Sequence, residues 1–108
     1  MVRDELLRLR SGAEAEAAAL ARDLEALFAA SRDSNADDEH DPEGVTIGFE
    51  RAQLTALLAA ARKRVAEVDD ALRRVDEGTY GLCEGCGQPI AGERLAVRPF
   101  ARMCMACA

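Results

Sequence analysis

The sequence predicts a mainly α protein: a long antiparallel helical hairpin (a coiled coil) followed by a small C-terminal module built on four cysteines. Three observations predict it. Apolar residues recur at spacings of three and four along two long stretches. A polar segment rich in Ser, Asn and Asp separates those stretches. All four cysteines fall within the last 26 residues. The expected division is residues 1–78 for the hairpin, with an acidic turn at about 31–44, and 79–108 for the cysteine module.

The first helix is expected over Asp4–Ala30. Ala, Leu, Glu and Arg dominate it, Pro is absent, and Gly12 is its one weak position. Its apolar seam is Leu6, Leu9, Ala13, Ala17, Leu20, Leu24 and Leu27.

The connecting segment is where the charge sits. Asp33, Asp37, Asp38, Glu39, Asp41 and Glu43 come without a Lys or Arg among them, and these six acids equal the net charge of -6. The remaining acids and bases balance at 14 each. Like charges at that density repel and keep a segment in solvent. Such a patch favours a basic protein surface or a metal ion. It opposes nonspecific DNA binding, which depends on neutralising phosphates. His40 is expected to be a solvated residue of this turn.

The second helix is expected to start at Asp41-Pro42-Glu43, with Asp as N-cap, Pro at the first helical position and Glu in the first turn. Phe49 is expected as the first core layer. From there the seam is Leu54, Leu58, Ala61, Val65, Val68, Leu72 and Val75, with gaps alternating four and three, a heptad pattern. Asp69 with Arg73, and Asp70 with Arg74, form i,i+4 pairs outside it. Gly78 closes the helix. Two seams so rich in Ala make a thin core, which gains from a staple at the open end.

The cysteines supply that staple. Cys83 and Cys86 form one C-x2-C pair, Cys104 and Cys107 a second, and 17 residues lie between the pairs. Each pair presents two thiolates to one ion, and four thiolates complete a tetrahedral site suited to one structural Zn2+. With every position taken by Cys, no coordination site is left for a substrate. Gly85 and Gly87 ease the first knuckle, whereas the second has no Gly. Tyr80, Ile90, Leu95 and Phe100 are expected to form an apolar cluster around the site, with Met103 and Met105 packing beside the second knuckle.

Composition narrows the function. A chain of 108 residues is one domain, or a small domain with an attachment. Aromatics make up 4% and Trp is absent, which argues against a large aromatic pocket or a base-stacking surface. No apolar run approaches the ~20 residues of a membrane span. The N-terminal MVRDELLRLR lacks the apolar core of a signal peptide. The expectation is a cytoplasmic protein without membrane attachment, in a compartment where disulfides are rare.

The residues Gly78-Thr79-Tyr80-Gly81-Leu82-Cys83-Glu84-Gly85-Cys86-Gly87, then Ile90, Arg94-Leu95, Arg98-Pro99 and Cys104-Met105-Ala106-Cys107, resemble the C4 zinc-finger signature of the DksA/TraR family. The resemblance implies a regulator of bacterial RNA polymerase. Such a protein inserts its coiled coil into the secondary channel, so that the acidic tip approaches the active centre, and acts without binding DNA. The family's tip motif is D-x-x-D-x-A. Here Asp38-Glu39-His40-Asp41-Pro42-Glu43 gives D-x-x-D-x-E. The tip residues are therefore Asp37, Asp38, Glu39, Asp41 and Glu43, and Arg94 and Arg98 become possible contacts to the polymerase or to the alarmone ppGpp. Arg98 matches a basic alarmone position of the family, but Glu67 and Ala108 stand where two others would be basic. Weak ppGpp dependence or none is expected. The chain stops one residue after Cys107, so the C-terminal helix of longer members is expected to be missing.

Two other functions fit parts of the pattern. A Gre-like transcript-cleavage cofactor would use tip acids to hold a second Mg2+, although a C4 finger is foreign to it. A nucleic-acid-binding or protein-interaction zinc finger would use Arg94, Arg98 and Arg102, although the net negative charge opposes the first of these. No nucleophile or general base in a pocket is evident, so no enzymatic activity is expected, and the intramolecular hairpin makes the monomer the expected state.

Overall fold

The structure is a computed structural model that describes residues 2–33 and 42–108, with side chains described outside 31–44. The order is α1 (Val2–Asp33), α2 (Pro42–Glu77) and α3 (Gly92–Val97). No strand occurs among the described residues, which hold only an isolated bridge between Leu82 and Pro89. No helix is long and apolar enough to cross a membrane among them. The tip acids Asp37, Asp38, Glu39 and Asp41, His40, and the side chain of Glu43 lie outside the described residues.

The chain divides into two compact units, Met1–Ser11 with Val65–Ala108, and Gly12–Arg64. In the first unit, Arg3 pairs with Asp76 and Arg10 with Asp69. Seven residues up α1 correspond to seven down α2, which makes the helices antiparallel. Leu6, Val68 and Ala71 form the core here, with Leu72, Val75, Tyr80 and Phe100 packed against it. The expected i,i+4 pair of Asp70 and Arg74 is present at 3.2 Å. Asp69 instead reaches across to Arg10, and Arg73 bonds Asp70 and Glu77. Interhelix partners compete for the same carboxylates, and sequence spacing alone does not rank them.

Helix α2 ends in a Schellman motif. The N–H of Gly78 donates to the Val75 carbonyl at 3.1 Å, and that of Thr79 to the Arg74 carbonyl at 2.8 Å. Gly78 sits at φ +78, in the left-handed region that favours glycine.

In the second unit the helices are also antiparallel. Arg64 bonds Glu16 at 2.8 Å, and the Arg51 guanidinium lies 5.7 Å from the centre of the Phe28 ring. Ala13, Leu58 and Ala61 are the buried apolar residues described in this unit. Phe49 is not a core layer: it is 76% exposed. Counting back from Leu54 by the same heptad rule reaches Ile47, which is half-buried. Phe49 lies two residues on, about 200° around the helix, and so faces out. In α1 the expected seam residue Leu9 is largely exposed, whereas Arg10 occupies the half-buried position between Leu6 and Ala13. Leu9 instead borders a cavity of about 690 Å³ with Val2, Leu6, Tyr80, Leu95 and Pro99.

Candidate functional site

The site is built on two turns of the first unit. The bridge from Leu82 to Pro89 brackets the first knuckle. Within it Cys83 N–H donates to the Gln88 carbonyl and Gly87 N–H to the Cys83 carbonyl, both at 2.8 Å. Gly87 has φ +75, which a side chain would disfavour. Gly85 is favoured for a different reason: a Cβ there would lie 3.1 Å from Cys107 Sγ and 3.2 Å from its Cβ, so Cys107 would have to give way by a few tenths of an ångström. The two knuckles therefore approach closely at a position where a side chain would be crowded. The second knuckle closes without glycine, by bonds from Cys107 and Ala108 N–H to the Cys104 carbonyl at 3.1 and 2.9 Å. A bond of 2.8 Å from Glu84 N–H to the Arg102 carbonyl ties the two turns together.

This brings the four Sγ atoms of Cys83, Cys86, Cys104 and Cys107 within 4.8 Å of one another. A tetrahedron with Zn–S bonds of about 2.3 Å has edges of about 3.8 Å. The Cys86 and Cys104 sulfurs are 3.8 Å apart. Gly85 N–H points at the Cys83 sulfur at 3.3 Å, a contact that stabilises a thiolate. Backbone N–H groups, Cys104 first, pull the Cys83 thiol down to about 6. Cys86 and Cys107 move the opposite way. Cys107 is pushed up to about 12, first by the Cys104 sulfur and then by Cys83 and Cys86. Four thiols at this spacing cannot all ionise by themselves, because each negative charge opposes the next. A bound dication supplies the charge that permits four thiolates. The donor set, the spacing and the glycine cradle all fit zinc.

A charged cluster joins the finger to α2 inside this unit. Asp70 receives Arg73, Arg74 and Arg102, and Arg102 also reaches Glu84 at 3.5 Å. Arg74 is 5% exposed, donates to the Ala101 carbonyl at 3.4 Å and lies 5.8 Å from the Tyr80 ring centre. Its Nη2 is buried with no partner among the described residues. Tyr80 O–H donates to the Pro99 carbonyl at 2.9 Å. The arginines hold the Asp70 carboxyl below its ordinary range, chiefly through the hydrogen bond from Arg73. The i,i+4 spacing flags Asp70 with Arg74, but nothing in the sequence marks Arg102 as a third claimant.

Of the expected finger residues, Ile90 is buried, and Tyr80 and Phe100 join the α1–α2 core. Met105 does not pack: it is 73% exposed, and its sulfur accepts from Arg94 Nη1 at 3.0 Å. Arg94 also donates to the Met103 carbonyl at 2.9 Å. Arg94 and Arg98 border a cavity of about 490 Å³ that also has Glu67, Arg102 and Ala108 in its wall.

Comparison with known proteins agrees with this geometry. A family model described as "Prokaryotic dksA/traR C4-type zinc finger" matches residues 78–108. Residues 78–108 are a zinc finger of the DksA/TraR type. Its four cysteines are the ligands of one structural zinc. Among curated relatives, the "RNA polymerase-binding transcription factor DksA" of Caulobacter vibrioides is 52% identical over 42 residues, 39% of this chain and 30% of that protein. "General stress protein 16O" of Bacillus subtilis is 39% identical over 70 residues, 65% of this chain and 43% of that protein. The chain thus spans less than half the length of these curated relatives. Among solved structures, transcription factor DksA2 from Pseudomonas aeruginosa superposes with a TM-score of 0.81 at 29% identity, over 98% of this chain and 76% of that one.

Proposed function

We propose that this protein is a DksA/TraR member that regulates transcription by binding bacterial RNA polymerase, entering the secondary channel with the acidic turn of its hairpin and acting without binding DNA. The observation that carries the reading is the combination in one chain of a C4 finger with an antiparallel hairpin whose turn region, 33–43, holds six acids and no Lys or Arg. A narrow helical pair can follow a channel that excludes a globular domain. Asp37, Asp38, Glu39, Asp41 and Glu43 would meet basic residues of the catalytic elements or lie near a Mg2+ ion, which prefers oxygen ligands. Residues 1–78 then act as the probe and 79–108 as the foot, with Arg98, and Arg94 in part, against the polymerase surface. Arg94 is already engaged by Met103 and Met105. The Glu67 carboxylate offsets part of the charge that Arg94, Arg98 and Arg102 bring to the same cavity, so ppGpp dependence is weak or absent. The protein acts as a monomer and catalyses nothing itself.

The test is a titration of the zinc-loaded protein against polymerase core enzyme, with a Gre factor as competitor. Saturable binding displaced by the competitor supports the channel. Asp38→Asn combined with Asp41→Asn is expected to keep the affinity within about threefold while abolishing the effect on promoter complexes in transcription assays. Shortening of the RNA in a backtracked complex would instead make the protein a cleavage cofactor.

A further inference from the structure

We propose that Val45 and Phe49 form an apolar anchor on α2 that seats in a hydrophobic socket of a protein partner, a socket bordered by Lys and Arg. This rests on the polymerase reading and adds an apolar contact beside the acidic turn. Val45 is 68% exposed and Phe49 76%. They are one turn apart, and Ala52 and Ala56 continue the same face, also exposed. At about 100° per residue the four fall within about 60° of one another. The inward positions of this stretch, Ile47, Leu54 and Leu58, lie on the other side and are buried or half-buried. The hairpin thus already has its core residues here, and Phe49 contributes nothing to it. An aromatic ring held out on a rigid helix loses little conformational freedom on binding, which is why such rings dominate interface energetics.

Charge selects the occupant. The chain leading into this face carries six acids from Asp33 to Glu43 and no Lys or Arg. A second copy of the protein would bring the same acids with it, and like charges oppose that pairing. Anionic lipid is repelled in the same way. A protein surface that is basic around an apolar depression satisfies both features.

The experiment measures affinity of the zinc-loaded full chain for polymerase core enzyme at two salt concentrations, for wild type, Phe49→Ala and Phe49→Leu. Thermal unfolding is followed in parallel. Phe49→Ala is expected to weaken binding at least tenfold, by a similar factor at both salt concentrations, with an unchanged unfolding midpoint. Phe49→Leu should recover part of the loss. Asp37→Asn with Asp38→Asn should instead reduce the salt dependence of binding. If wild type binds and Phe49→Ala binds within twofold of it, the anchor is wrong and the polymerase reading stands. If wild type does not bind, the polymerase reading fails and the anchor falls with it. A wild-type dimer in sedimentation that Phe49→Ala converts to monomer would assign the face to a second copy and overturn the proposal.

Discussion

The two units of this chain are made of the same two helices and are held together differently. Residues 12–64 bury small side chains: Ala13 and Ala61 with Leu58. Their described interhelix contacts include an exposed ion pair and a cation–π contact, each contributing about 0–1 kcal/mol. The other unit buries Leu6, Val68, Ala71 and Ile90, along with a cysteine and an arginine. It adds the metal site and a network of charged hydrogen bonds. A seam of Ala and Leu suffices to align two helices, but a short chain segment such as 79–108 needs cross-links to hold a fold at all. Phe49 falls outside that seam by helical phase and so faces out.

The widest gap between the units should appear on metal removal. Structural zinc contributes ~10–16 kcal/mol of apparent binding energy near neutral pH in small finger peptides. Chelation, or Cys83→Ser, is expected to unfold the finger and loosen Leu6 and Val68, as seen by loss of amide-exchange protection over 65–108. Residues 16–30 and 47–60 should keep more of their protection. Equal loss in both units would mean that they do not differ in this way.

Core truncation should sort the units next. Leu6→Ala removes a fully buried side chain and is expected to cost about 3–4 kcal/mol, against about 2 kcal/mol for Leu58→Ala in the thinner seam. Denaturant midpoints of the zinc-loaded variants measure both. An equal or reversed order would contradict the contrast.

The charged cluster gives a pH signature. Asp70 has its folded value held below the ordinary 3.8 by the arginines. Its contribution is therefore complete above pH 3.8 and is lost as pH falls through the depressed value. Asp70→Asn leaves the buried Arg74 cation poorly compensated, at about 2–3 kcal/mol near neutrality, below the cost for a fully buried pair. The stability difference between wild type and Asp70→Asn should narrow in acid. A difference that stays constant down to pH 2 would mean that Asp70 acts through packing and not charge.

The smallest effect has the opposite sign. Gly12 lies within α1 with open space where a Cβ would go. Gly12→Ala is expected to stabilise the second unit by about 0.5–1 kcal/mol, read as a raised thermal midpoint with zinc affinity unchanged.

Much of the architecture was legible because it is local. The α2 seam from Leu54 to Val75 is buried or half-buried throughout, since a heptad pattern sustained over three repeats leaves one inward face. The start of α2 at Pro42 and its end before Gly78 follow from backbone chemistry at those residues. The metal centre was legible for the same reason, because a C-x2-C turn places two sulfurs together wherever it folds. Phe49 and Met105 were misplaced by composition, which treats a large apolar residue as a core residue. Helical phase puts Phe49 in solvent, and Met105 is exposed with its sulfur accepting from Arg94.

The sequence by itself determined the two helices, the heptad face, the acidic charge of the turn and the ligand set, all set by spacings of a few residues. Only the tertiary structure decided which of the competing arginines reach Asp70, what Gly85 faces across the site and where Leu9 goes. Those outcomes depend on Arg102, Cys107 and Tyr80 arriving from 22 to 71 positions away. Side chains so distant in sequence meet only after the finger has closed on the helices. Pairwise distance in the folded chain, not spacing along it, then selects the partner.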